Sequence, residues 1–243
     1  MGMKLNLLIV GGGSSLGLGL AKQMVVEGHN LCLITGKKNV DLVPSKNVKV
    51  ISNKLENSDD VREVCVDILK EFDSFDVIFY NIGGGLGMSD TMISFNDLNK
   101  VLWFNFGVIQ EFNRLMIPKI KPSGKIICIG SIATRQLIGS LGYTIAKTAL
   151  ETYVRFLGKE LISKKISIMA LSIGAYWEKG NAMDRLKRKK PAFYNDFIEK
   201  RLPRKKMATT EEIIPFISHF CMIDTSILSG SIIPMDGAEN ISL

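Results

Sequence analysis

The chain has 243 residues, 46% of them hydrophobic and 23% charged, with a formal net charge of +7. Such a balance excludes a disordered tail and provides the apolar surface for a large buried core. Two histidines, and four cysteines without a C-x-x-C pair (Cys32, Cys65, Cys128, Cys221), argue against a zinc site or a His-based triad.

Residues 5–10 (LNLLIV) read as a buried first strand. The run is too short for a signal sequence or a membrane span, and Gly11, Gly12 and Gly13 end it. No later stretch has spanning length, so the expectation is a soluble, cytoplasmic protein with reduced core thiols and no membrane contact. A glycine-rich turn leads into a helix at about 17–28, and LCLIT and VKVIS read as strands two and three. Val61, Val64, Cys65, Ile68 and Leu69 recur at helical spacing over 58–72. FDVIFY is strand four, a long helix covers about 97–120, and GKIICIG is strand five. The helix carrying Tyr143 ends near 163, ISIMALSI is strand six, and SIIPMD is a short strand seven.

Helices alternating with strands that are apolar on both faces predict an α/β protein of the Rossmann type. The expected core is a doubly wound parallel seven-stranded sheet with helices on both faces. With no repeat or linker, residues 1–243 read as a single domain. Residues 175–207 break the alternation and contain RLKRKK and RLPRKK. They read as a substrate lid or, equally, as a solvated basic surface helix.

Two motifs carry chemistry. After strand one, Gly13 suits a tight turn, Gly17 a close backbone approach to pyrophosphate, and Gly19 close packing on the sheet. The helix that follows offers free N–H groups and a positive dipole end to phosphate. Tyr143 and Lys147 stand four apart and share a helix face. An ammonium beside a phenol favours the phenolate and pulls the Tyr pKa down from about 10, which creates a general acid/base. Ser131 stands twelve residues upstream, where it could hold a substrate oxygen.

The chain resembles the short-chain dehydrogenase/reductase family along nearly its whole length. Residues 12–19 match the family's T-G-x-x-x-G-x-G with Gly12 in place of Thr, and Asn81-Ile82-Gly83 is similar to its N-A-G. Asn105 matches the helix asparagine, and Ser131, Tyr143 and Lys147 match the Ser…Tyr-x-x-x-Lys set. SGSIIPMDGA is similar to the family's C-terminal T-G-x-x-I-x-V-D-G-G, and the motif order is closest to 3-oxoacyl-acyl-carrier-protein reductases. The resemblance implies a carbonyl–alcohol oxidoreductase. Tyr143 would move the proton, Ser131 orient the substrate oxygen, Lys147 lower the Tyr143 pKa and bind ribose, and Asn105 hold a relay water. It also implies cofactor contacts at Gly13, Ser15, Leu16, Gly17, Leu18, Asn81, Gly83, Tyr143, Lys147 and Gly174, no metal, and assembly into homotetramers or homodimers through the helices of Asn105 and Tyr143.

Several positions depart from the family pattern. Ile173 replaces a Pro before Gly174, Glu178 stands where a Thr contacts nicotinamide, and the Ser-to-Tyr spacing is one residue short. Asn53 and Lys54 stand where an acidic residue meets adenine. At the end of strand two the chain has Lys37 and Lys38 and no carboxylate before Asp41, which favours NADP(H) over NAD(H). The basic segment fits a small-molecule substrate on an anionic carrier, an acyl thioester or a nucleotide sugar. The alternatives are a cofactor-binding regulator or scaffold with weak turnover, motivated by Ile173 and Glu178, and nucleic-acid binding through RLKRKK, which lacks interleaved aromatics.

Overall fold

The computed structural model describes residues 4–42, 45–136 and 138–240. In chain order the first half comprises β1 (Asn6–Val10), α1 (Ser15–Val26), β2 (Asn30–Thr35), β3 (Val48–Ser52), α2 (Ser58–Leu69) and β4 (Phe75–Tyr80). Then come α3 (Phe95–Leu102), α4 (Val108–Met116), β5 (Ile120–Ser131), α5 (Ala133–Gln136), α6 (Leu141–Leu161) and β6 (Ser167–Ile173). The last part holds β7 (Tyr176–Trp177), α7 (Ala182–Lys189), α8 (Pro191–Arg201), β8 (Ala208–Thr209), α9 (Thr210–Met222) and β9 (Ile232–Met235).

Seven strands pair in the order β3-β2-β1-β4-β5-β6-β9, every pair parallel. The chain order reverses between β1 and β4, which opens a crevice at the carboxyl ends of the strands where such folds bind ligands. Alternate residues of each central strand enter different cores. Leu8, Val10, Ile78 and Tyr80 pack with Val61 and Ile68 of α2, Phe112 of α4 and Leu150 of α6. Leu7, Ile9, Val77 and Phe79 pack with Leu20 and Met24 of α1 and Ile217 of α9. This two-sided burial explains why the strands are apolar throughout.

Three features differ from the sequence reading. The helix expected over 97–120 is interrupted by a π turn at Trp103–Gly107, where the Val108 N–H reaches Trp103 O. The Asn105 side chain donates to Val101 O (2.8 Å), competing for a carbonyl of the helix ladder, and the ladder widens at that turn. Residues 175–207 form a helical pair, α7 and α8, with a small core of their own around Tyr194, Leu202 and Met207. Strand β7 of that segment pairs in parallel with β8, just beyond it, for which the sequence carried no periodicity. Finally, His29, which in sequence reads as a surface or helix-end residue, is buried just beyond the end of α1, its Nδ1 accepting from the Leu5 N–H.

All four cysteines are free and buried, and burial pushes each thiol up to about 12. Among the described residues no helix is long and apolar enough to cross a membrane.

Candidate active site

The loops at the carboxyl ends of β1, β4, β5 and β6 border a cavity of ≈ 580 Å³, with Ser14, Asn81, Gly83, Ser131, Tyr143 and Lys147 on its walls. The glycine turn works differently from the sequence reading. Gly11, at φ +87°, makes the tight turn, and a Cβ there would stand 2.6 Å from Asn81 O. Gly13 is required because a Cβ would meet Thr35 Oγ1 at 2.1 Å. Gly17 is buried against Gly11 O rather than open to a phosphate, and Gly19 packs on Ile214 of α9 rather than on the sheet. Leu16 is wholly buried in the apolar core, so it can offer only its backbone to a ligand, and Leu18 is half-buried.

Asn81 clamps this turn, its Nδ2 donating to Gly11 O (3.2 Å) and Ser14 O (3.4 Å). Ser14 caps α1 without a side-chain hydrogen bond. Ser15 sits in the left-handed region at φ +56°, and its hydroxyl lies 2.7 Å from the Tyr176 hydroxyl. Uncapped N–H groups and two serine hydroxyls, on a turn held by the Asn81 amide, make a donor set suited to a dinucleotide pyrophosphate.

Behind the cavity, Gly83 and Gly84 run extended at φ +145° and +148°. Asn105 is fully buried; its Oδ1 accepts from Gly84 N (2.8 Å) and its Nδ2 donates to Gly84 O (2.9 Å) as well as to Val101 O. Both side-chain donors are thus used on backbone. The side chain positions the glycine loop and does not reach the cavity wall, unlike the water-holding role implied by the resemblance.

Tyr143 and Lys147 both enter the cavity from α6, but they do not act on one another as expected. Lys147 Nζ donates to Ile129 O at 2.7 Å and stands 5.8 Å from the centre of the Tyr143 ring. Burial lowers the Lys147 ammonium to about 8. Burial likewise raises the Tyr143 phenol above its ordinary value, a hydrogen bond with the Ser131 hydroxyl opposes that rise, and Tyr176 adds to it. The expected depression of Tyr143 by Lys147 is therefore absent here, because the ammonium is bound to the strand-end carbonyl and both groups are desolvated. The Ser131–Tyr143 contact forms despite the shortened spacing; residue 137, within that spacing, lies outside the described residues.

Gly174 follows β6, where a Cβ would stand 2.7 Å from the Asp236 side chain. Ile173, in place of proline, stays in β6 in register with Ser131 and Met235. Glu178 accepts from the Thr210 hydroxyl (3.1 Å) at the start of α9 and is not part of the cavity wall. Lys37 is exposed, its backbone N–H held by Thr35 Oγ1 (3.0 Å) and its stem beside Gly13. The cavity also receives Ser140 and Glu239, which the sequence did not point to, and Tyr176 and Arg185, which it marked only as part of the 175–207 segment. Ser140 and Glu239 lie outside the helices and strands, where neither periodicity nor a motif marks a residue.

Residues 11–238 match the family model described as enoyl-(acyl carrier protein) reductase. The chain belongs to the short-chain dehydrogenase/reductase family. As a member it is an NAD(P)-dependent oxidoreductase acting on a small molecule. It is 27% identical to levodione reductase of Leifsonia aquatica, over 96% of this chain and 93% of the relative. It is 25% identical to a 3-oxoacyl-[acyl-carrier-protein] reductase of Chlamydia muridarum, over 95% of each chain. L-sorbose reductase of Gluconobacter frateurii, solved with NADPH and L-sorbose, shares the fold at a TM-score of 0.87, with 19% identity over 100% of this chain and 99% of that one.

Proposed function

We propose that the protein interconverts a carbonyl and a secondary alcohol with NADP(H), using Tyr143 as general acid/base. The observation that carries the reading is that Ser131, Tyr143 and Lys147 line one cavity with the start of α1. When bound, NADP(H) supplies or accepts the hydride. Ser131 holds the substrate oxygen, and the Tyr143 hydroxyl gives it a proton in reduction or takes one in oxidation. Because burial raises the Tyr143 pKa, the phenol is protonated at neutral pH and ready to act as an acid. Asn105 acts through Gly84 as a positioning residue. Helices α7 and α8 serve as the substrate lid of a single domain. Glu178 is engaged with Thr210 and is not on the cavity wall.

Lys37 and Lys38 are exposed at the end of β2 with no nearby carboxylate in sequence before Asp41, which supports NADP(H). The NADPH complex of L-sorbose reductase supports it further. Changing Lys37 to Ala is expected to weaken NADPH binding about tenfold, the worth of one charge-assisted phosphate contact, and to leave NADH within about twofold. Fluorescence titration with the two cofactors measures this, and equal losses for both would remove the NADP assignment.

Lys147 adds a pH signature. Its folded pKa of about 8 lies below the ordinary lysine value, so between these two pH values the unfolded chain holds a proton the native protein lacks. In the ligand-free protein this group therefore makes stability rise with pH above about 8, while its burial cost is fully present below that. With Lys147 binding the ribose as an ammonium donor, NADPH affinity falls as pH rises through about 8. The dissociation constant of the Lys147→Met variant should be weaker and flat over that range; a wild-type profile equally flat would contradict the role.

Arg185 at the cavity and Lys187, Arg188 and Lys189 on α7 support an anionic carrier on the substrate, an acyl thioester or a nucleotide sugar. Leu141, Ile145 and Phe156 of α6 and Phe216 of α9 are exposed apolar side chains, which supports a homodimer or homotetramer. The C-terminal segment after Asp236 adds to a second interface in this reading; its residues 241–243 lie outside the described residues. Four free, buried thiols fit a reducing compartment such as the cytoplasm.

A further inference from the structure

Two polar atoms on the cavity-lining residues are buried without a hydrogen-bond partner, Ser140 Oγ and Glu239 Oε1. Leaving such groups unpaired is costly, so each marks a position where a ligand or water completes the site. Ser140 precedes α6, three residues before Tyr143. Glu239 is 2% exposed, and its Oε2 accepts from the Ala175 N–H at 2.7 Å.

The free oxygen of Glu239 has been given a charge partner but no bond. Arg201 Nε, itself buried without a hydrogen-bond partner, faces Oε1 at 3.4 Å, an ion pair that falls short of hydrogen-bond geometry. Arg201 is held by Gln136, whose Oε1 accepts from Arg201 Nη2 at 2.5 Å. Gln136 in turn donates to Glu239 O (2.9 Å) and Asn240 Oδ1 (3.0 Å). The Ala175 N–H after β6 and Arg201 of α8 thus hold the carboxylate, and Gln136 of α5 holds the Glu239 backbone, while Oε1 lacks a hydrogen bond.

We propose that Glu239, together with Ser140, recognises a hydroxyl group of the substrate, so that the compound reduced is a hydroxylated, sugar-like carbonyl rather than a plain acyl chain. The proposal rests on the carbonyl–alcohol reading above and narrows its substrate class. An ionised carboxylate can only accept, so its partner must bring an O–H or N–H. Arg201 beside it and Arg185 on the same cavity disfavour a cationic partner, which leaves the neutral hydroxyl. An alkyl chain would leave Oε1 stranded. Ile138, Met183 and Phe197 on the same cavity provide apolar contact for the carbon skeleton.

The test compares L-sorbose with 2-hexanone, which share a six-carbon chain and a C2 carbonyl and differ in hydroxyls, and adds acetoacetyl-coenzyme A as an acyl probe. With NADPH, the wild type is expected to favour L-sorbose over 2-hexanone by about 100-fold or more in kcat/KM. The Glu239→Met variant should lower that ratio at least about tenfold, mainly through the KM for L-sorbose, with the NADPH dissociation constant unchanged. Glu239→Gln keeps an accepting oxygen and should recover most of the ratio. Ser140→Ala should lower it as well, and it serves if the Glu239→Met protein does not fold. A wild type that prefers 2-hexanone or the acyl probe, a ratio untouched by these substitutions, or a change confined to NADPH affinity would each overturn the proposal. Reduction of none of the three compounds removes the carbonyl reading itself, a result distinct from an altered preference.

Discussion

The Tyr143→Phe protein reduces carbonyl substrates about a thousandfold more slowly than the wild type, while its NADPH affinity stays within about twofold. The substitution removes one hydroxyl and retains the ring, so the packing of α6 against the cavity is kept. It also takes away the Ser131 hydroxyl's phenolic partner and the group poised to deliver a proton to the substrate oxygen. A residue that only bound substrate would show its loss in KM. A proton donor shows it in kcat and kcat/KM together. Steady-state NADPH oxidation, with cofactor titration as the control, separates the two patterns. Turnover near the wild-type rate would refute the assignment of Tyr143 as general acid.

Gly83→Ala is expected to unfold at a clearly lower temperature, to lose about 2–3 kcal/mol of stability and to lose at least about 100-fold in turnover. Gly83 has φ +145°, and an added Cβ would lie 2.5 Å from Asn105 Oδ1 and 2.9 Å from Lys147 Nζ. Neither neighbour is free to move. Asn105 is bonded to Gly84 and Val101, Lys147 is bonded to Ile129 O, and both are buried. One methyl group therefore disturbs the glycine loop and the lysine at once. Gly28→Ala provides the control, because Gly28 also has positive φ (+87°) but open space where the Cβ would go. That variant should lose only about 1 kcal/mol, through backbone strain, and keep its turnover. Equal effects of the two substitutions in calorimetry and rate would show that strain alone, rather than crowding of Lys147 and Asn105, matters at Gly83.

The parts of the site that were legible in the sequence are those that local geometry dictates. Tyr143 and Lys147 share a face because a helix repeats every 3.6 residues, and both do line one cavity. Strand β1 followed by glycines and a helix start was readable from five apolar residues in a run of six and an abrupt change of composition. Asn105 was identifiable by resemblance, but its work was not. Its partners, Gly84 and Val101, are known only once the loop after β4 folds back on the π turn. The glycine roles were misassigned for the same reason. Which glycine is crowded depends on Asn81, Thr35 and Ile214, which arrive from other elements.

By itself the sequence determined the family, the seven parallel strands and the set of polar residues at the strand ends, since periodicity, turns and short spacings are properties of neighbouring residues. Only the tertiary structure decided how those groups are engaged. It bound Lys147 to Ile129 O instead of directing it at Tyr143, turned Glu178 to Thr210, and left an oxygen of Glu239 without a bond beside the cavity. Hydrogen bonds and desolvation depend on which atoms meet across the fold and on how much water is excluded there, and no local pattern in the chain encodes either.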